Sequence, residues 1–268
     1  MDAYINHKAG PFAAAPTPTG FTSLEKVQPN FTDAEQHIKN LIDEYDKHYP
    51  GSDQAGRNAL IARQLLDPKE AVSQIQMVPT GADPSKTHSP AEVLVVDEPG
   101  LWSTFIACST RSMSRGYVHI NSSDPTVHPT IDPKYFSHPV DVDMIARTIL
   151  HLLTFTEIEP LKSVLRRDEN GNVVPLKSAG ALPKTLEEAK DFVGRNTATQ
   201  YHQVGTCAML PREKGGVVSD ELRVYGTSNV RVVDGSIFPM NVQGNLVSLV
   251  YAIAEKGADI IKGKMSYA

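Results

Sequence analysis

The chain has 268 residues, 40% apolar and 21% charged, a globular mix that excludes global disorder, collagen and coiled coil. Its net charge of −5, with no dense basic run, argues against nucleic acid as a partner. Two cysteines, Cys108 and Cys207, exclude a disulfide-dense scaffold and a four-cysteine zinc site.

No apolar run approaches the ~20 residues of a membrane span. The first residues lack a basic start followed by an apolar core, so no signal peptide is expected and the default location is cytoplasmic. Secretion is expected only if the chain is a fragment of a longer precursor. Residues 1–31 carry closely spaced Pro and Gly and read as an extended arm or loop. Thr32 and Glu35 fit a capping box, and Ile38, Leu41, Ile42 and Tyr45 recur at helical spacing, so a helix is predicted up to Pro50-Gly51. A second helix is predicted from Asp53 to Leu66, stopped by Asp67-Pro68, and a third over Glu70–Gln76.

Strands are predicted over Glu92–Asp97, Leu101–Ser109 and Gly116–Asn121, where β-branched and aromatic residues gather. Four prolines from Pro125 to Pro139 punctuate a loop, and a helix follows from Asp141 to Glu157. Thr185 and Glu188 form a second capping box, opening a short helix to Gly194. Short strands are predicted at Val217–Val218, Leu222–Tyr225 and Asn229–Val233. Asn245 is placed to cap a last helix running to Lys262. Helices and hairpin-like strands in mixed order give an α+β class, an antiparallel sheet flanked by helices.

The chemistry is narrowed by what the motifs omit. No pair of the nine histidines has H-E-x-x-H spacing, His119 and His128 lie on different kinds of segment, and no metal is expected. There is no G-x-S-x-G elbow, no P-loop and no G-x-G-x-x-G, so the chain supplies no dinucleotide-phosphate loop. Two segments stand out. In Tyr201-His202-Gln203-Val204-Gly205-Thr206-Cys207 a histidine precedes a Gly-Thr turn in weakly charged surroundings. In Asp234-Gly235-Ser236, followed by Gln243-Gly244-Asn245, an aspartate ends an apolar strand and an asparagine opens a helix. Read from residue type alone, each admits a packing or capping role.

Together they resemble the glucose-methanol-choline (GMC) flavoprotein oxidoreductases. Tyr201–Met209 looks like that family's active-site histidine motif. Leu222–Gly226, Asn229–Pro239 and Gly244–Asp259 look like its C-terminal signature, and Arg115–Ile120 with Asp124-Pro125 like its substrate-domain strand. Asn6 and Gly10-Pro11 fit a weaker pattern. The likeness is nearest to the fungal glucose-oxidase and aryl-alcohol-oxidase branch.

The resemblance implies a GMC substrate-domain fold with a strand-loop-helix remnant of the flavin domain at its end. It divides the chain into an arm (1–31), a substrate-domain-like part (32–200) and the signature segment (201–268), expected to pack as one unit. It implies His202 as the base taking a hydroxyl proton and Asn245 as the amide holding the substrate oxygen. Asp234, Gly235, Gly244 and Asn245 would approach FAD, and Tyr201, Trp102, Phe105 and Gln243 would line the pocket. For Trp102 and Phe105 a plain core role competes, and Cys207 reads as a small apolar residue rather than a nucleophile. Family members are longer, and their N-terminal half carries the glycine fingerprint, so this chain alone is expected to hold FAD weakly or not at all. Three readings stay open: half of an FAD-dependent alcohol oxidase or dehydrogenase, a cofactor-independent isomerase, dehydratase or cyclase using the same pocket, or a non-catalytic binding module. The missing half would bare an apolar face, so a separate flavin-domain chain, a homodimer or residues 1–31 is expected to cover it.

Overall fold

The computed structural model describes residues 6–7, 18–28, 30–49, 55–87, 89 and 92–263. About half of the arm expected over 1–31 lies outside them, and the described part holds a strand (Thr19–Thr22) and a short helix (Leu24–Val27). The chain forms two units: Met1–Leu41, Gln64–Ser109 and Pro139–Gln200 in one, Ile42–Arg63, Thr110–His138 and Tyr201–Ala268 in the other. Among the described residues no helix is long and apolar enough to cross a membrane.

The first unit is built on a three-stranded antiparallel sheet, β1 (Thr19–Thr22), β2 (Ser73–Val78) and β3 (Thr104–Ser109), in that order. Ser73 pairs with Thr22 on one side and Ser109 on the other. Helix α1 (Leu24–Val27) follows β1, and α2 (Phe31–His48) starts in this unit and ends in the other. Helix α3 (Ala55–Leu65) leads back. Helix α4 (Pro139–Phe155) packs on β2 and β3, where Ser73 Oγ and Thr148 Oγ1 share a buried hydrogen bond of 2.6 Å. After the short α5 (Leu161–Val164), α6 (Leu186–Asn196) packs along α4. The core gathers Leu24, Ile38, Leu65, Val72, Val140 and Met144, all buried.

The predicted α4 and α6 form, with adjusted ends. Helix α4 starts two residues early because Pro139 suits a first helical turn, whose N–H groups lack partners anyway. Helix α6 carries the full capping box: Glu188 N donates to Thr185 Oγ1 at 3.2 Å and Thr185 N to Glu188 Oε2 at 3.3 Å. Helix α2 begins at Phe31, so Thr32 lies inside it rather than at its cap. The described part of α3 starts at Ala55, and Asp53 lies outside the described residues.

Two predictions fail for opposite reasons. Glu70–Gln76, read as a helix, contributes instead to the central strand β2. Ile75 and Met77 alternate with Gln74 and Gln76, a period of two as much as a helical one. Pairing on both edges, with β1 and β3, decides between them. Glu92–Asp97, read as a strand, folds as turns: Val95 N donates to Glu92 O at 2.8 Å and Asp83 N to Val93 O at 2.7 Å.

The second unit contains the hairpin β4 (Tyr117–His119) and β5 (Thr130–Asp132), with Val118 opposite Ile131. Strand β5, three residues between Pro129 and Pro133, is not foreseen from the sequence. The predicted strands between 217 and 233 shrink to single bridges, Met209 with Val218, Val218 with Val224 and Arg223 with Arg231. The unit ends in α7 (Val247–Ile261). Its core is Val218, Leu222, Ile237, Phe238 and Leu246, with Leu249, Val250, Ile253 and Ile260 of α7 packed against it. Helix and loop approach so closely that a Cβ on Gly257 would lie 2.6 Å from Val233 Cγ1.

Candidate active site

Residues 201–209 and 234–238 are tied backbone to backbone. Cys207 N donates to Ser236 O at 2.9 Å, and Met209 N to Ile237 O at 2.8 Å. Gly205 turns the first segment with φ +93°, and a Cβ there would approach Phe238 O to 3.3 Å, so glycine meets both demands. Tyr201 takes φ +61°, in the left-handed region that costs an L residue about 1–2 kcal/mol. That strain sits directly before His202, and Tyr201 turns more than half of itself to solvent, 57%. Motif spacing carries no sign of it.

Asp234 ends the preceding segment and caps the 3-10 turn Gly235–Ile237. Its Oδ1 accepts from Ser236 N at 2.8 Å and from Ser236 Oγ at 2.5 Å. The carboxylate remains exposed. A Cβ on Gly235 would meet only ordinary contacts, Val250 Cγ2 at 3.8 Å and Gln203 O at 3.9 Å. Packing inside the protein therefore does not demand glycine there. Gly244 then bends the chain with φ +88° into Asn245.

Asn245 does not cap α7, whose cap position is Leu246 with no side-chain hydrogen bond. Its amide is turned to His202 instead, with Asn245 Nδ2 3.0 Å from His202 Nε2. An amide NH2 has no lone pair to offer, so it donates and Nε2 accepts. A half-buried base and an exposed amide donor thus converge on one point. A hydroxyl that displaced the amide from Nε2 could give its proton there and accept a hydrogen bond from the amide on its oxygen.

The remaining candidates divide. Tyr201, Gln203 and Gln243 share the second unit with the pair, and Gln243 is exposed. Trp102 and Phe105 belong to the first unit. Trp102 packs beside Gly81 and Gly100 and its Nε1 donates to Glu98 O at 3.2 Å, while Phe105 sits on β3 opposite Met77. Those contacts are local and give the two rings structural work of their own. Burial pushes the Cys108 thiol up to about 11, which keeps it an unreactive thiol. Among the described residues no group of three or more His, Cys, Asp or Glu could hold a metal ion.

The profile of the family described as GMC oxidoreductase matches residues 112–254, more than half of the chain. The GMC oxidoreductase family protein Mala s 12 of Malassezia sympodialis is 40% identical over 151 residues, covering 56% of this chain and 23% of that protein. A fungal aryl-alcohol oxidase superposes with a TM-score of 0.70 at 25% identity, over 96% of this chain and 40% of that one. An FAD-dependent oxidoreductase from Chaetomium thermophilum shares the fold, with a TM-score of 0.69 at 22% identity over 98% of this chain and 42% of that one. The chain spans under a quarter of that curated relative's length and about two-fifths of the solved structures. Matched over the segments that carry His202 and Asn245, the chain belongs to the glucose-methanol-choline oxidoreductase family.

Proposed function

We propose that this chain contributes the proton-transfer side of an FAD-dependent oxidation of an alcohol. The observation that carries the reading is the His202–Asn245 pair at 3.0 Å, with the amide as donor and the imidazole as acceptor. Once the substrate hydroxyl displaces the amide from His202 Nε2, that nitrogen accepts the hydroxyl proton as the alcohol becomes a carbonyl. Asn245 donates to the substrate oxygen, where negative charge grows as the proton leaves.

Asp234 and Gly235 would approach the ribityl and phosphate region of FAD, as the family resemblance implies. Asp234 offers an exposed carboxylate, and Gly235 leaves room that the protein's own packing does not use. Gly244 and Asn245 lie at the entry to α7. FAD, when bound, supplies the acceptor for the hydride leaving the alcohol carbon. The pyrophosphate end has no glycine-rich loop in this sequence, so a flavin-binding half must complete the site.

The test is oxidation of a panel of primary alcohols, with dioxygen or a dye as final acceptor. The chain is supplied with FAD and with the flavin-binding half of a relative, and wild type is compared with His202→Ala. The reading expects a bound-flavin visible spectrum in both and a loss of turnover of about 10²–10⁴-fold in the variant. An unimpaired His202→Ala protein overturns it. A well-folded wild type that holds flavin yet oxidises no alcohol also overturns it, and directs attention to redox-neutral acid–base chemistry.

A further inference from the structure

The C-terminal end of α4 borders a cleft of about 400 Å³ that lies wholly within the first unit. One wall is the turn that follows the helix, at Thr156 and Glu157. The other is a tight hairpin, in which Arg167 and Val173 form a bridge and Asp168 N donates to Asn172 O at 2.9 Å. Arg167 clasps the two walls together. Its Nη1 donates to Glu157 Oε1 at 3.0 Å and to Gly171 O at 2.8 Å, and its Nη2 to Thr156 O at 2.5 Å. Charge-assisted bonds of this kind hold a shape open rather than leave slack between loops. Leu153, Val173, Leu182 and Pro183 give the cleft an apolar side. Its volume falls in the range of small-molecule sites, about 300–1,000 Å³.

The polar groups of the lining are one-sided. Its side-chain donors are spent inside the protein: Thr156 Oγ1 donates to Leu153 O at 2.7 Å, and Asn172 Nδ2 lies 3.1 and 3.3 Å from the two oxygens of the Asp168 carboxylate. Its acceptors are not spent. Among the described residues, Glu157 Oε2 and Asn172 Oδ1 accept no hydrogen bond. One nitrogen, Arg167 Nη1, touches both Glu157 and Gly171, which brings Asn172 next to the Glu157 carboxylate. Hydrogen bonding by Arg167 holds the Glu157 carboxyl below its ordinary range, so it is ionised at neutral pH. Asp168 has no cation partner among the described residues, so two carboxylates meet one guanidinium here.

We propose that this cleft binds a small organic cation, a primary ammonium on a short apolar body. The ammonium donates to Glu157 Oε2 and Asn172 Oδ1, and the apolar body lies on Leu153, Val173, Leu182 and Pro183. An anion finds no open side-chain donor on the lining and meets two carboxylates. A neutral alcohol of the same shape fills the apolar side but brings no charge. The site does not depend on the functional reading above, because His202 and Asn245 belong to the second unit.

The experiment titrates the full ¹⁵N-labelled chain at neutral pH with phenethylammonium and follows the backbone amides by NMR. 2-Phenylethanol and phenylacetate serve as the neutral and anionic matches of the same shape. The expected result is saturable shifts at Thr156, Glu157 and Gly171–Val173, with a dissociation constant of about 1 mM. The alcohol should bind about fivefold more weakly or worse, the worth of one rim-exposed ion pair, and phenylacetate should leave these amides unmoved. Glu157→Gln keeps an oxygen for Arg167 but removes the charge, and should weaken the amine about fivefold. Leu182→Trp fills the apolar side without touching the Arg167 contacts, and should abolish binding. Both variants are checked for fold by circular dichroism. Four results overturn the proposal: no saturable shifts at those residues, an alcohol that binds there as tightly as the amine, an affinity unchanged in Glu157→Gln, or one unchanged in Leu182→Trp.

Discussion

A polar cluster in the first unit and a polar pair in the second are held in opposite ways. In the first, Asp143 is 0% exposed and is closed in by Arg147, Lys190 and the imidazole of His37. Arg147 Nε lies 2.6 Å from one carboxylate oxygen, and His37 Nε2 and Lys190 Nζ lie 3.0 and 3.1 Å from the other. Arg147 also donates to Gln28 Oε1 at 2.6 Å. The cluster ties α2, α4 and α6 together. In the second unit, His202 and Asn245 sit at the surface and meet each other over 3.0 Å. Burial with full satisfaction marks groups that hold a fold. A polar pair left accessible, in a loop strained at Tyr201, marks groups held for something outside the chain.

The comparison breaks most sharply if the two sites respond alike to deletion. Asp143→Ala leaves buried Arg147 beside Lys190 without their anion, and should cost about 3–5 kcal/mol in urea unfolding. His202→Ala should change stability by no more than about 0.5 kcal/mol. A mild Asp143→Ala would mean that the cluster carries little of the first unit. A damaging His202→Ala would mean that the second site is structural.

Acid should find the same difference. Burial pushes the Asp143 carboxyl upward, but Arg147 and Lys190 outweigh it and hold the group below the ordinary carboxylate range. A carboxylate depressed in the folded state contributes stability that is fully present above its unfolded value. That contribution is lost as pH falls through the folded value. Stability of the wild type should therefore decline below about pH 4, the usual aspartate range. Asp143→Ala should flatten that part of the curve. An unchanged acid limb in the variant would remove Asp143 as its source.

Gly257 tests how tightly the second unit is built where α7 meets its core. Alanine would gain about 1 kcal/mol of helix preference. Its Cβ would also fall 2.6 Å from Val233 Cγ1 and 3.3 Å from Leu222 Cδ1. Overpacking of that kind costs about 1–3 kcal/mol. Gly257→Ala should be destabilising by about 1 kcal/mol, a fall in melting temperature of about 3 °C. A stabilised variant would show that Val233 gives way easily.

Much of this was legible in the sequence wherever the cause is local. The Thr185–Glu188 capping box, the stop at Asp67-Pro68 and the period of α4 depend on residues within a turn of one another. Strand β2 was not legible, because Ser73–Val78 fits either period and its partners lie at residues 19–22 and 104–109. Strand β5 was not legible either, since three residues between prolines become a strand only beside Tyr117–His119. His202 and Asn245 were legible as a family pattern. Their contact was not, because it depends on the backbone ties of Cys207 and Met209 to Ser236 and Ile237.

The smallest expected effect separates a true cap from an apparent one. Thr185 caps α6 with its side chain, and Thr185→Ala should cost about 1 kcal/mol. Asn245 stands at the same kind of position in the sequence, yet its amide faces His202 rather than the N–H groups of α7. Asn245→Ala should therefore leave stability within about 0.5 kcal/mol of wild type. Its effect should appear in turnover, as a loss of about 10²-fold for a single oxyanion donor, once the flavin-binding half is supplied. Paired melts of the two variants check the structural half of this. If Asn245→Ala destabilises as much as Thr185→Ala, the amide caps α7 in solution, and the case for a preset donor at the substrate oxygen falls with it.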